Sequence, residues 1–204
     1  MRNQWYGDHR DVIKWGTLLK LARDHQLRFI LQVAYLRPDA SVPTIVSDLD
    51  EAPVAQEALR HFRDIRQISS LATLAGLEIE ILDVPFEPKF RKEYTDRVLK
   101  RVRATRRDGW VVFLDPDTGL KDAQSSPSHV TPDEIRRIWD ASQLQDCLVL
   151  YQHASREADW VQKRREIFAA ACPGSTVIQF RSREGSRDVV FFAASRATDL
   201  SSLK

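Results

Sequence analysis

Hydrophobic and polar positions along the chain switch between two periods. Over 8–23 the apolar residues Val12, Trp15, Leu18, Leu19 and Ala22 fall at three-to-four spacing, which predicts an amphipathic helix. Over 27–36 they crowd into a dense run rich in β-formers, predicting a buried strand stopped by Arg37-Pro38-Asp39. Residues 53–75 predict one or two helices, with Gly76 as their stop. Residues 77–82 alternate as a strand does. Helical spacing returns over 89–107 through Phe90, Tyr94, Val98 and Val102, and 110–114 is a short, fully apolar strand. A long polar loop over 115–130 follows. Thr131-Pro132-Asp133-Glu134 then opens a helix, with Thr as N-cap, Pro in the first turn and Glu closing a capping box. A strand over 147–151, a helix over 154–171 and strands over 176–180 and 188–193 complete the series. Arg183-Glu184-Gly185-Ser186 reads as the turn of a hairpin between the last two strands.

Strands that alternate with helices need crossover connections, so the expected fold is α/β: a mainly parallel sheet with helices on both faces. The closing pair adds a C-terminal antiparallel β-hairpin, and the element order is Rossmann-like. A length of 204 residues suits one domain over 1–204.

Composition narrows the class. With 43% hydrophobic and 29% charged residues, the chain has enough apolar surface to fold, which excludes a disordered polymer. No apolar run approaches the roughly 18 residues of a membrane span, so no membrane partner is expected. Met1 to Arg10 is polar, without the apolar stretch of a signal peptide. Cys147 and Cys172 both sit in apolar segments, which argues against a disulfide framework and for a cytoplasmic protein. A net charge of +2 is too mild to identify a partner. Its distribution says more: between Lys89 and Arg107 nine basic residues face only Glu93 and Asp96. The plain reading is a solvated helix face. The functional one is phosphate contact with RNA or DNA, through residues such as Arg97 and Arg101, weakening steeply with salt.

Candidate chemistry gathers where strands end. Asp83 follows 77–82, Asp115-Pro116-Asp117-Thr118-Gly119 follows 110–114, and Tyr151-Gln152-His153 closes 147–151. In a parallel sheet these ends share one edge, where ligands bind. Asp115 is expected there as a solvent-facing residue. Taken singly, each has an ordinary explanation: an aspartate in a turn, a structural histidine. The first helix adds Asp8 and Asp11 on one face, with Lys14 beside Asp11 and within a turn of Arg10; solvated charge is the plain alternative.

Gly7-x-x-x-Asp11-Val12-Ile13-Lys14 resembles the Gly-Asn-x-x-Asp-Val-Leu-Lys motif of the large-subunit rRNA adenine-N6 methyltransferases. The strand running into Asp115-Pro116 is similar to their Asp-Pro-Pro-Tyr motif and to the Asp-Pro of the three-Cys-motif partner proteins. The whole set, Trp-Tyr-Gly-Asp-x-x-Asp-x-x-Lys-Trp-Gly, Phe-Leu-Asp-Pro-Asp-x-Gly-Leu and Tyr-Gln-His, resembles a family of largely uncharacterised bacterial and phage proteins. The resemblance implies a class I, Rossmann-like methyltransferase fold, S-adenosylmethionine as cofactor and a nucleic-acid amino group as substrate. It implies catalytic roles for Asp115, Asp117, Lys14 and His153, with Asp115 orienting the amine. Asp8, Asp11, Tyr35 and Asp83 would lie on the cofactor, and Arg97, Arg101, Tyr151 and Gln152 on the nucleic acid. Two positions depart from the pattern. The first strand ends Val33-Ala34-Tyr35 without glycine, so the S-adenosylmethionine loop is degenerate, and Asp117-Thr118 stands where an aromatic would stack a base.

Two other readings use the same residues. Asp115 and Asp117, with Asp8, Asp83 or His153, could hold Mg²⁺ or Mn²⁺ for phosphodiester cleavage. A non-catalytic Rossmann module would bind RNA, DNA or a protein instead. The sequence leaves the metal ligands and the oligomeric state open.

Overall fold

The computed structural model describes residues 9–37, 68–69, 72, 76–104, 109–121, 129–181 and 188–197. Helix α1 (His9–Asp24) leads to β1 (Phe29–Val33), and β2 (Glu78–Leu82) leads through a 3-10 turn at Pro88–Phe90 to α2 (Arg91–Ala104). Strand β3 (Trp110–Leu114) is followed by the short strands β4 (Gly119–Leu120) and β5 (His129–Val130). Then come α3 (Pro132–Ala141), β6 (Cys147–His153), α4 (Trp160–Ala171), β7 (Thr176–Phe180) and β8 (Val189–Ser195). The main sheet runs β2-β1-β3-β6-β8-β7. Its first four strands are parallel, with Phe29 opposite Glu78 and Trp110, and Val111 opposite Cys147. Strand β8 is antiparallel to both β6 and β7, so the sheet is mixed. The turn expected at 183–186, and nearly all of the helices expected over 53–75, lie outside the described residues.

Every residue of β3 is buried, as a parallel strand covered on both faces requires. Neighbouring residues of a strand point to opposite faces. On one face Ile30, Val111, Phe113 and Val149 pack with Trp15, Leu18 and Leu21 of α1. On the other, Leu31, Val112 and Leu148 pack with Val98 of α2, Trp139 of α3 and Phe168 of α4. The protein is therefore α/β with a mostly parallel central sheet between helices. Among the described residues no helix is long and apolar enough to cross a membrane.

Several boundaries differ from expectation for identifiable reasons. Strand β6 continues through His153 because β8 pairs with it as far as Val189. The next helix accordingly begins at Trp160 rather than near 154. Phe90 is not part of the buried stripe: it sits in the 3-10 turn, 50% exposed, with the Lys89 ammonium 4.8 Å from its ring centroid. The stripe is Tyr94, Val98, Leu99 and Val102. The ends of the polar loop are tied down, since β4 and β5 pair in parallel and bury Leu120 and Val130. The capping box forms as expected. Glu134 N–H donates to Thr131 Oγ1 at 3.3 Å and Thr131 N–H donates to Glu134 Oε2 at 2.9 Å, while Arg91 of α2 also donates to that oxygen at 2.5 Å.

Candidate functional site

The four parallel strands end on one edge of the sheet, and there α1 meets β1 and β3. The Asp115 N–H donates to Val33 O at 3.0 Å, carrying the β1–β3 pairing one step past β3. Alternation then turns its side chain to the α1 face, with Phe113 two residues back. Gln32, the register partner of Phe113, projects to the same face from β1. Lys14 comes from α1 to meet both. Its Nζ lies 2.6 Å from Asp11 Oδ1, 2.9 Å from Asp115 Oδ1 and 3.1 Å from Asp115 Oδ2. Gln32 Nε2 donates to Asp115 Oδ2 at 2.8 Å.

This cluster is sealed. Asp115 is 2% exposed and Lys14 4%, and Asp11 and Gln32 are buried with them. The solvent-facing position expected for Asp115 is thus corrected: α1 lies across the strand ends, fixed by the fully buried Trp15 next to Lys14. Nor are Asp11 and Lys14 solvated helix charges. Burial alone pulls the Lys14 pKa down, but the Asp11 and Asp115 carboxylates outweigh it and hold it well above the usual lysine value. The ammonium also sits 4.5 Å from the centroid of the Tyr151 ring, and Tyr151 meets His153 edge-on with centroids 5.0 Å apart. Burial pushes the Tyr151 hydroxyl pKa well up, so it stays a neutral donor.

Gln32 is the site residue that sequence reasoning missed. The signal was present: it is the lone polar residue in Phe-Ile-Leu-Gln-Val of β1. Among the described residues, its Oε1, the Tyr151 hydroxyl and the Trp15 indole N–H are all buried without a hydrogen-bond partner, and buried polar atoms seldom go unsatisfied.

The other expected site residues disperse. The strand expected to end at Tyr151 runs on through Gln152 and His153, so the three side chains alternate. Tyr151 joins the α1 side, whereas Gln152 turns to the opposite face. There its carboxamide accepts from Leu120 N–H at 2.6 Å and donates to Thr118 O at 3.1 Å and His153 O at 2.7 Å. Gln152 braces the chain after β3 through these three bonds. Tyr35 packs on Phe86 and Tyr94 on the α2 side, and its N–H donates to the Tyr94 hydroxyl at 2.9 Å. Asp117 is ion-paired with Arg37, which joins the exits of β1 and β3. Asp83 lies at the end of β2 on the same edge, half-buried. On α2, Arg97 is exposed and Arg101 pairs with Glu80. Asp8 lies outside the described residues. The fold therefore gathers Asp11, Lys14, Asp115, Tyr151 and His153, adds Gln32, and separates them from Tyr35, Gln152, Arg97 and Arg101. Asp115 and Asp117 face an ammonium and a guanidinium, and among the described residues no three His, Cys, Asp or Glu side chains converge as metal ligands do.

His153 gives the cluster an acid limit. Burial, then the Lys14 and Arg10 cations, lower its pKa to about 4, against the opposing pull of Asp188 and Asp115. An unfolded chain has an ordinary histidine value near ~6.5, so between that pH and about 4 it binds a proton that the folded protein refuses. Stability from His153 is complete above the upper value and falls as the pH drops through the window. His129, also lowered to about 4 by burial and by Lys121, Arg164 and Arg91, adds to the slope. Urea midpoints measured across this range should fall for the wild type and fall less for His153→Gln. Equal slopes would refute the assignment.

The chain matches no protein-family profile, and no curated protein matches it in sequence, so the geometry of this site carries the functional argument.

Proposed function

We propose that the protein is a methyltransferase-like enzyme acting on an amino group of RNA or DNA, in a Rossmann-like fold with a degenerate S-adenosylmethionine loop. One observation carries the reading: Asp115, at the carboxyl end of β3, accepts a planar N–H donor, the Gln32 carboxamide, at 2.8 Å. An exocyclic amine is a donor of the same shape, and an amine arriving at Asp115 would take the place of Gln32 on Oδ2. Lys14 reaches both carboxylate oxygens, Oδ1 at 2.9 Å and Oδ2 at 3.1 Å, and would keep the group oriented through the exchange. The strand order supports the Rossmann-like assignment, since an antiparallel strand closes the parallel series from between its last two neighbours.

One backbone feature supports the cofactor reading. A Gly-rich turn lets the chain bend sharply after the first strand and approach the ligand. No glycine stands there, yet Tyr35 adopts φ of +46°, the left-handed bend that glycine ordinarily supplies. Its ring packs toward α2 rather than across the edge. The chain around Ala34 and Tyr35, with Asp83 at the end of β2, would hold S-adenosylmethionine, which when bound supplies an electrophilic methyl group.

A second reading, the non-catalytic nucleic-acid-binding module, draws on the burial of Asp115 and Lys14. Calorimetric titration with S-adenosylhomocysteine separates the two. Saturable one-to-one binding is expected. No heat at millimolar ligand would discard methyl transfer and leave the module.

A further inference from the structure

Helix α2 connects two parallel strands and so runs back along the sheet, from the carboxyl edge to the amino edge. Arg91 marks its start, where it donates to His129 O at 2.9 Å beside the first turn of α3. At about 1.5 Å of rise per residue, Arg103 is roughly 18 Å further along. Tyr94, Val98, Leu99 and Val102 face the sheet, so the outward face belongs to charge. Acidic partners balance its first half: Lys92 pairs with Asp96, which also meets Arg137 of α3. In the second half, Arg-Val-Leu-Lys-Arg-Val-Arg-Ala over 97–104, there are four cations and no acid, and Glu80 answers only Arg101. Among the described residues no acidic side chain pairs with Arg97, Lys100 or Arg103. Lys100 and Arg103 also line an open cleft with Asp96, Leu99 and Ala104.

We propose that this half of α2 is a backbone-binding surface for a nucleic-acid strand, with Arg97, Lys100 and Arg103 contacting phosphates. Three cations at successive three-residue steps rise about 4.5 Å each. Residues three apart are neighbours on a helix surface, roughly 5 to 6 Å between Cβ atoms, so the three cations form one continuous basic patch for a polyanion. The surface lies on the sheet face opposite Lys14 and Asp115, and toward the other edge. A substrate touching both places must therefore be a polymer rather than a free nucleotide. This deepens the function proposed above, and rests on it only for what happens to the strand once bound.

The test is fluorescence anisotropy of the full chain with a labelled 20-nucleotide single-stranded RNA and the same sequence as DNA, at low and moderate salt. The variant Arg97→Glu/Lys100→Glu/Arg103→Glu changes exposed residues only. Lys20→Glu/Arg23→Glu/Arg28→Glu changes charge equally on other exposed positions, and thermal melts confirm that both are folded. The α2 variant should bind at least tenfold more weakly and lose about two to three units of salt slope, while the control stays within twofold. Equal losses in the two variants, no binding by the wild type, or equal competition from polyglutamate would each overturn the proposal. S-adenosylhomocysteine titration of the α2 variant should match the wild type. A wild type that binds RNA but not this ligand would sink the enzyme reading and leave the surface standing.

Discussion

Lys14→Met is expected to cost about 3 to 5 kcal/mol of folding stability, or roughly 6 to 20 °C of melting temperature for a chain of this size. The methionine fills nearly the same space, so packing is not the cause. What is lost is the ammonium that lies 2.6 Å from Asp11 and 2.9 Å from Asp115, both buried. The substitution takes the ammonium away from both carboxylates in a site that is nearly closed to solvent. A second change, Asp115→Asn, should cost much less in the Lys14→Met background than alone, because the charge it removes no longer has a partner there. Additive losses would show that the two residues are not coupled. Lysine chemistry sets the pH range. With its pKa held above the ordinary value near ~10.4, the contribution of Lys14 is complete below that pH and is lost only as the solution is taken through the higher folded value. A melting temperature that fell on going from pH 7 to 9 would need another cause.

Gly119→Ala should cost about 2 to 4 kcal/mol, from backbone strain and broken hydrogen bonds together. Gly119 has φ of +100°, where L side chains are rarely found, and a Cβ built on it would overlap the Gln152 carboxamide. That carboxamide cannot step aside, because it holds Leu120 N–H, Thr118 O and His153 O at once. Gly174→Ala is the natural control: φ is +70°, but nothing lies within 4 Å of the new methyl group. Urea denaturation should show Gly119→Ala to be clearly the worse of the two. If the costs are the same, strain alone accounts for both and the brace is unimportant. A displaced brace would also shift Thr118, whose carbonyl accepts from the Gln152 amide.

The parts of this fold that could be read from sequence are those fixed by short-range chemistry. Thr131 and Glu134 need only their own turn to make a capping box, and Tyr94, Val98 and Val102 need only helical periodicity to define a buried stripe. The strand Trp110 to Leu114 declared itself by having no polar residue at all. Other features depended on contacts far apart in the chain. Whether the strand stops at Tyr151 or runs on through Gln152 and His153 is decided by β8, which lies some forty residues later and holds these residues extended. Asp115 could be singled out as a candidate from the Asp-Pro at a strand end. Its burial could not be foreseen, since that depends on α1 returning across the sheet from a sequence separation of 101 residues. Gln32 was overlooked because one polar residue in a strand does not reveal its partner. The basic helix was legible as charge, but which of its cations lack an acid followed only once Asp96, Arg137 and Glu80 had positions.

The placement of β8 has a consequence for synthesis. A ribosome delivers β6 and β7 before the strand that must lie between them. Until β8 emerges, the inner edge of β6 carries unpaired backbone groups on a strand whose first six residues are all buried in the finished protein. The nascent chain therefore passes through an interval in which an apolar strand edge is open to any extended segment nearby. The interval closes only once the chain through Ser195 has left the ribosome, and stalling before that should leave a chain prone to pair with its neighbours.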